Sequence, residues 1–233
     1  MPTEAVAPTL VLARLREEIR RIERRPARRG GCVPCRRPEV DEALPGGGFP
    51  RGAISELRGG PASGKTAVAL AVFAALEGEG LAAYVDGRGE LYPPAAAALG
   101  VDLARLLIVR PGVTAAAGGT RAADPPRGGP AREVALTALW AAEALLASGA
   151  FAAVAVDMPL THAVRGADAM LRRLQAAAEK GGAVGLWLSP SGSALRPPAA
   201  VRVELASRGG RTVARRLVGE APAPWRNGAG DAA

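Results

Sequence analysis

Short apolar runs, each closed by a glycine, a proline or a polar residue, alternate along the middle of the chain with longer stretches in which apolar positions recur every three or four residues. The runs predict strands at residues 53–57, 81–86, 106–109, 151–157 and 183–188. The periodic stretches predict helices at 65–77, 94–99, 132–148 and 166–180. Strands that are apolar on both faces, with helices between them, belong in a parallel sheet covered on both sides. The expected fold class is therefore α/β, doubly wound, with ligands at the carboxyl ends of the strands. Residues 201–205 and 212–218, joined by Gly209 and Gly210, predict a closing β-hairpin. Residues 111–130, rich in Gly, Ala and Pro, predict a surface loop. Ahead of all this, residues 10–25 space Leu12, Leu15, Ile19 and Ile22 three or four apart with charge between them, the pattern of an amphipathic helix. Pro26 and the run 28–37 break it. The organisation expected is a basic helical arm at 1–37, a core at 38–219 and a disordered tail at 220–233, with no internal repeat.

A chain of 233 residues suits one domain with appended arms and buries a full core without disulfides. It has no uninterrupted apolar stretch long enough for a membrane span and no signal-peptide order at its start, so it reads as soluble and cytoplasmic with no membrane partner. The net charge of +8 invites a nucleic-acid partner, because phosphate neutralisation dominates such affinity. Its location matters more than its size. Residues 14–37 hold ten arginines against Glu17, Glu18 and Glu23, so nearly all the excess lies in the arm. Lys65 and Lys180 are the only lysines, a bias expected of a GC-rich genome that weakens any argument from arginine number alone. Cys32 and Cys35 form a single Cys-x-x-Cys without a second ligand pair, and His162 is distant. Zinc or redox chemistry lacks the residues it needs, and the two thiols read as passengers on a flexible arm.

Gly59, Gly60, Pro61, Ala62, Ser63, Gly64, Lys65 and Thr66 fit G-x-x-x-x-G-K-[ST], directly after a predicted strand and at the opening of a predicted helix. That context is the one a phosphate loop requires. Glycines let successive N–H groups turn onto phosphates, the helix N-terminus adds its dipole, Lys65 reaches the β/γ-phosphates and Thr66 holds magnesium. The apolar run ending in Asp157 supplies a carboxylate at a strand's carboxyl end, the usual second magnesium ligand. The cofactors expected are ATP and Mg²⁺.

Here the residues resemble a family. LPGGGFPRGAISELRGGPASGKT (44–66) is similar to the lead-in and phosphate loop of RecA, ALGVDLARLLIVRP (98–111) to its third-strand segment, and ALWAAEALLASGAFAAVAVD (138–157) and ALRPPAAVRVELASR (194–208) to later parts of its core. The resemblance covers residues 44–218 and implies a RecA-like doubly wound sheet with a C-terminal β-hairpin and an N-terminal helical arm. Within that superfamily the short length, the LPGGGFPRGA segment and GGAVGLWLSP (181–190) resemble most the ImuA family, RecA-related accessory proteins of bacterial translesion synthesis.

Two positions depart from the RecA pattern. The resemblance implies a glutamate two residues after Asp86, activating the attacking water; this chain has Arg88. An arginine accepts no proton, so either hydrolysis is slow or Glu90, two positions further on, serves as the catalytic base. The resemblance also implies Asn-Gln at the end of the next core strand, coupling nucleotide to a DNA-binding loop. This chain has Ser189-Pro190, and the loop after it has Arg196 as its only charge. His162 reads as an exposed loop residue and Trp140 and Trp187 as core, while Trp225, among prolines of the tail, reads as a docking anchor for a partner.

The function implied is an ATP-binding protein of DNA repair and the SOS response to DNA damage. In the first reading it is an ImuA-like adaptor in translesion synthesis, at most a weak ATPase, held to a repair polymerase complex. In the alternative it is an active DNA-dependent ATPase and recombinase, assembling with RecA-family protomers on single-stranded DNA through its basic arm. A different phosphate-loop enzyme such as a kinase is disfavoured, because the matched segments extend well beyond residues 59–66.

Overall fold

The structure, a computed structural model, describes residues 30–112, 130–158, 167–193, 197–218 and 221–222. Strands β1 (Cys32–Val33) and β2 (Phe49–Pro50) pair antiparallel, with a short helix α1 (Pro38–Asp41) between them. Next come β3 (Ala53–Gly59), α2 (Lys65–Ala75), β4 (Leu81–Asp86), α3 (Pro93–Ala98) and β5 (Leu106–Val109). Helix α4 (Pro130–Ala147), β6 (Phe151–Asp157), α5 (Ala167–Gly181) and β7 (Val184–Pro190) complete the alternating part. The antiparallel strands β8 (Val201–Arg208), β9 (Arg211–Val218) and β10 (Ala221–Pro222) close the described chain.

The main sheet has the order β10-β9-β8-β3-β7-β6-β4-β5 and is parallel from β8 through β5. The α/β, doubly wound, mainly parallel class expected from the alternation is therefore the one observed. Alternation within a strand assigns side chains to the two faces. In β6, Ala153 and Ala155 join the cluster formed with Val68, Val72 and Phe73 of α2, while Val154 and Val156 join Leu139 and Leu146 of α4 and Leu171 and Leu174 of α5. Each buried aliphatic side chain of this kind contributes ~1.5–3 kcal/mol.

Two expectations need correction. Cys35 does not lie on a flexible arm: it is buried with Val33, Val40, Leu44 and Phe49 in the α2-side cluster. Its N–H donates to Asp41 Oδ1 at 2.8 Å and the Arg37 N–H to Asp41 Oδ2 at 3.2 Å, so α1 ties residues 35–37 to the sheet. Trp140 is not core. It is 65% exposed on α4, whereas Trp187 is buried as expected. The amphipathic helix at 10–25, the loop at 113–129, His162, Arg196 and Trp225 lie outside the described residues.

Candidate functional site

The loop between β3 and α2 carries the G-x-x-x-x-G-K-T residues at the carboxyl end of the sheet. Gly64, immediately before the helix, has φ +90°, and a Cβ there would collide with Thr212 Oγ1 of β9, so two independent constraints select glycine. The hairpin thus buttresses the loop from the far side of the sheet order. Ala62 also has a positive φ, 55°, uncommon for a residue with a side chain and typical of loops whose backbone serves a ligand. Lys65 Nζ donates to Gly59 O at 2.7 Å, Gly60 O at 2.8 Å and Ser63 Oγ at 3.2 Å, which places its ammonium within the curve of the loop. Burial holds this ammonium below a lysine's ordinary pKa; Asp157 pulls in the opposite direction and Arg88 adds to the depression.

Asp157 ends β6 directly opposite Asp86 at the end of β4. Both are buried, and each has its own arginine. Asp86 Oδ2 accepts from Arg110 Nε at 2.9 Å and from the Leu91 N–H at 3.2 Å, and Oδ1 accepts from the Glu90 N–H at 3.1 Å. Asp157 Oδ1 accepts from Arg88 Nε at 2.8 Å, and Oδ2 accepts from the Tyr84 hydroxyl at 3.0 Å. Burial first, then Asp157, drives the Tyr84 phenol far above the ordinary range. Both carboxylate oxygens of Asp157 are therefore engaged, one by Tyr84 and the other by Arg88.

This bears on magnesium. Thr66 and Asp157 are the residues expected to hold the ion, and both oxygens of Asp157 are already engaged, one by the Tyr84 phenol and one by the Arg88 guanidinium. Magnesium demands a near-octahedral shell of oxygens and gives up water reluctantly. The arrangement does not fit it. Among the described residues no group of three or more His, Cys, Asp or Glu side chains is placed to hold a metal ion. Glu90, the candidate base, is exposed, and its backbone is tied to Asp86.

A second polar cluster lies beside the first. Glu56, in the middle of β3, is fully buried. Its Oε1 accepts from Ser189 Oγ at 2.8 Å and stands 3.4 Å from Arg58 Nε, and its Oε2 accepts from Arg202 Nε at 2.9 Å. The two guanidiniums also hold backbone: Arg58 Nη2 donates to Ser193 O at 3.2 Å and Arg202 Nη2 to Pro197 O at 2.6 Å. Ser189 is thus an internal partner of Glu56, and Ser193 O and Pro197 O are each held by one of its two arginines. Sequence reasoning passed over Glu56, Tyr84 and Thr212. Tyr84 had a signal, being the one residue with a hydroxyl in the aliphatic run LAAYVD, two positions before Asp86. Glu56 had another, a carboxylate inside an otherwise buried strand. Thr212 had none, since its role depends on hairpin placement.

Residues 17–119 match the family described as the RecA N-terminal domain. The protein RecA of Picosynechococcus sp. is 48% identical over 73 residues, 31% of this chain and 21% of that protein. The protein RecA of Corynebacterium urealyticum is 44% identical over 81 residues, 34% of this chain and 22% of that protein. The protein RecA of Salinispora arenicola is 39% identical over 117 residues, 48% of this chain and 34% of that protein. The chain thus spans about a third or less of the length of these curated relatives. The similarities support a RecA-like chain, in keeping with the mostly parallel sheet. Among the described residues, no helix is long and apolar enough to cross a membrane.

Proposed function

We propose that this chain is a nucleotide-binding, RecA-like protein of DNA repair that works as an adaptor in translesion synthesis, of the ImuA type, with weak or no ATPase activity. The observation that carries this reading is Arg88. A guanidinium paired with Asp157 stands where the RecA resemblance calls for the glutamate that activates water, and it cannot accept a proton. The Lys65 ammonium, within the curve of the phosphate loop, supplies the charge for the β/γ-phosphates. Ser189-Pro190 stands where the RecA resemblance calls for Asn-Gln, and Ser189 is committed to the buried Glu56, which suits an adaptor better than a DNA-driven motor. Arginine-rich residues at the N-terminal end provide the phosphate contacts to single-stranded DNA, and a repair polymerase complex is the protein partner this reading requires.

The test is steady-state ATP hydrolysis by the wild type, Arg88→Glu and Glu90→Gln, each with and without single-stranded DNA, beside nucleotide binding by Lys65→Ala. Hydrolysis near background in the wild type and weakened binding in Lys65→Ala are expected, since general-base assistance contributes ~10²- to 10⁴-fold. The relatives' name, protein RecA, favours a second reading as a recombinase. Brisk DNA-stimulated turnover that disappears in Glu90→Gln would establish that reading in place of the adaptor.

A further inference from the structure

The magnesium mismatch leads further, on the premise that residues 59–66 bind a nucleoside triphosphate. We propose that the Arg88 guanidinium is the resident cation of this site, taking the place beside Asp157 that a divalent ion would hold, so that the nucleotide binds equally well with and without magnesium.

Four observations converge on it. Arg88 Nε lies 2.8 Å from Asp157 Oδ1, and the pair is largely enclosed, with side-chain exposures of 28% and 12%. A guanidinium keeps its charge at every accessible pH, so the neutralisation of Asp157 is permanent. The other carboxylate oxygen accepts from the Tyr84 hydroxyl at 3.0 Å, so both oxygens of Asp157 are already engaged. The backbone also holds Arg88 in place: the Gly87 N–H donates to Asp157 O at 2.8 Å, extending the β4–β6 ladder past its last strand residues. A Cβ on Gly87 would meet Met158 Sδ at 2.7 Å and Asp157 O at 3.0 Å, so this close approach requires glycine.

The neighbouring charges leave Arg88 where it is. Asp86, the other nearby carboxylate, is already matched by Arg110 at 2.9 Å and by two backbone N–H groups. Lys65, the remaining cation at the loop, bonds to loop oxygens and stays available for phosphate. Admitting magnesium at Asp157 would mean breaking an enclosed ion pair and a buried hydrogen bond to gain that carboxylate. A nucleotide that arrives without the ion meets Lys65, the loop N–H groups and an Asp157 already paired with a guanidinium.

The experiment is a titration of the full chain with a fluorescent ATP analogue, in excess magnesium and in excess EDTA, for the wild type, Arg88→Ala and Arg88→Lys. Wild-type Kd values in the two buffers should agree within about threefold, well inside the tenfold that marks a substantial interaction. Arg88→Ala, with Asp157 uncovered, should gain at least about tenfold in affinity on adding magnesium. Arg88→Lys, which keeps the charge, should stay close to the wild type. A wild type that loses about tenfold or more in EDTA overturns the inference and leaves nucleotide binding standing. So does an Arg88→Ala protein indifferent to magnesium. A wild type that binds in neither buffer overturns nucleotide binding as well. The wild-type comparison is decisive even if the variants fold poorly.

Discussion

Thr212 of the closing hairpin lies against Gly64 of the phosphate loop so tightly that any side chain at position 64 would strike its hydroxyl. The closing hairpin therefore helps to shape the G-x-x-x-x-G-K-T loop that the parallel strands present.

Gly64→Ala should cost about 2 kcal/mol of stability, from the φ of +90° and the collision together, and should weaken nucleotide binding with it. Adding Thr212→Ala should recover the part due to collision and leave the part due to backbone strain. Urea midpoints of the single and double variants separate the two.

Glu56→Ala should destabilise the fold by about 3 kcal/mol, because it leaves Arg58 and Arg202 without their shared, fully buried counter-charge. The same change should slacken the mooring at Ser193 O and Pro197 O and speed proteolysis between them. Glu56→Gln, which keeps an acceptor oxygen, should fall between the two proteins in both denaturant midpoint and cleavage rate.

The sheet was largely legible from the chain, for a physical reason. Strands β4, β5 and β6 have the expected bounds because each is aliphatic on both faces and is cut off by glycine, proline or charge. β7 runs on through Ser189-Pro190, since its ladder with β3 continues to the Gly59–Pro190 pair, a long-range match that no local pattern announces. Trp140 misled because α4 is alanine-rich around much of its circumference, so its sequence offers no face to choose. Cys35 misled because Val33, Cys35 and Val40 are scattered among arginines, and charge density hid their common burial. At the site, the loop and Asp157 could be named from motif and strand end. The contacts of Tyr84 and Arg88 with Asp157 could not, because they arise from β4 and β6 lying side by side.

The two thiols should differ sharply. Cys32 is exposed and should react with Ellman's reagent at neutral pH, whereas burial and Asp41 push the Cys35 thiol from 9.0 up to about 12, so it should react only on unfolding. An unfolded Cys35 loses its proton near pH 9.0 while the folded one keeps it to about 12, so the unfolded state binds fewer protons between those values. Stability from this group is complete below pH 9.0 and declines as pH rises towards 12. Cys35→Ala should flatten that alkaline slope in thermal melts.

Deleting residues 1–29 should remove most salt-sensitive binding to single-stranded DNA, because eight arginines lie there. For every phosphate that the shortened chain no longer neutralises, the slope of log K against log salt should fall by about 0.7. The cut belongs before Gly30, since Val33 and Cys35 are part of the core. A truncated protein with an unchanged slope would move the DNA-binding surface to the β8–β9 hairpin, which carries Arg208, Arg211, Arg215 and Arg216.

Position 88 governs two properties at once. With arginine, the carboxylate at the end of β6 is paired from within the chain, and the side chain at position 88 cannot take a proton from water. A change to glutamate would restore that group, but it would also set an additional acid beside Asp86 and Asp157 and withdraw the charge that balanced one of them. If the arginine is the resident cation of the site, a change that restores the base would in the same step leave Asp157 in need of an external one.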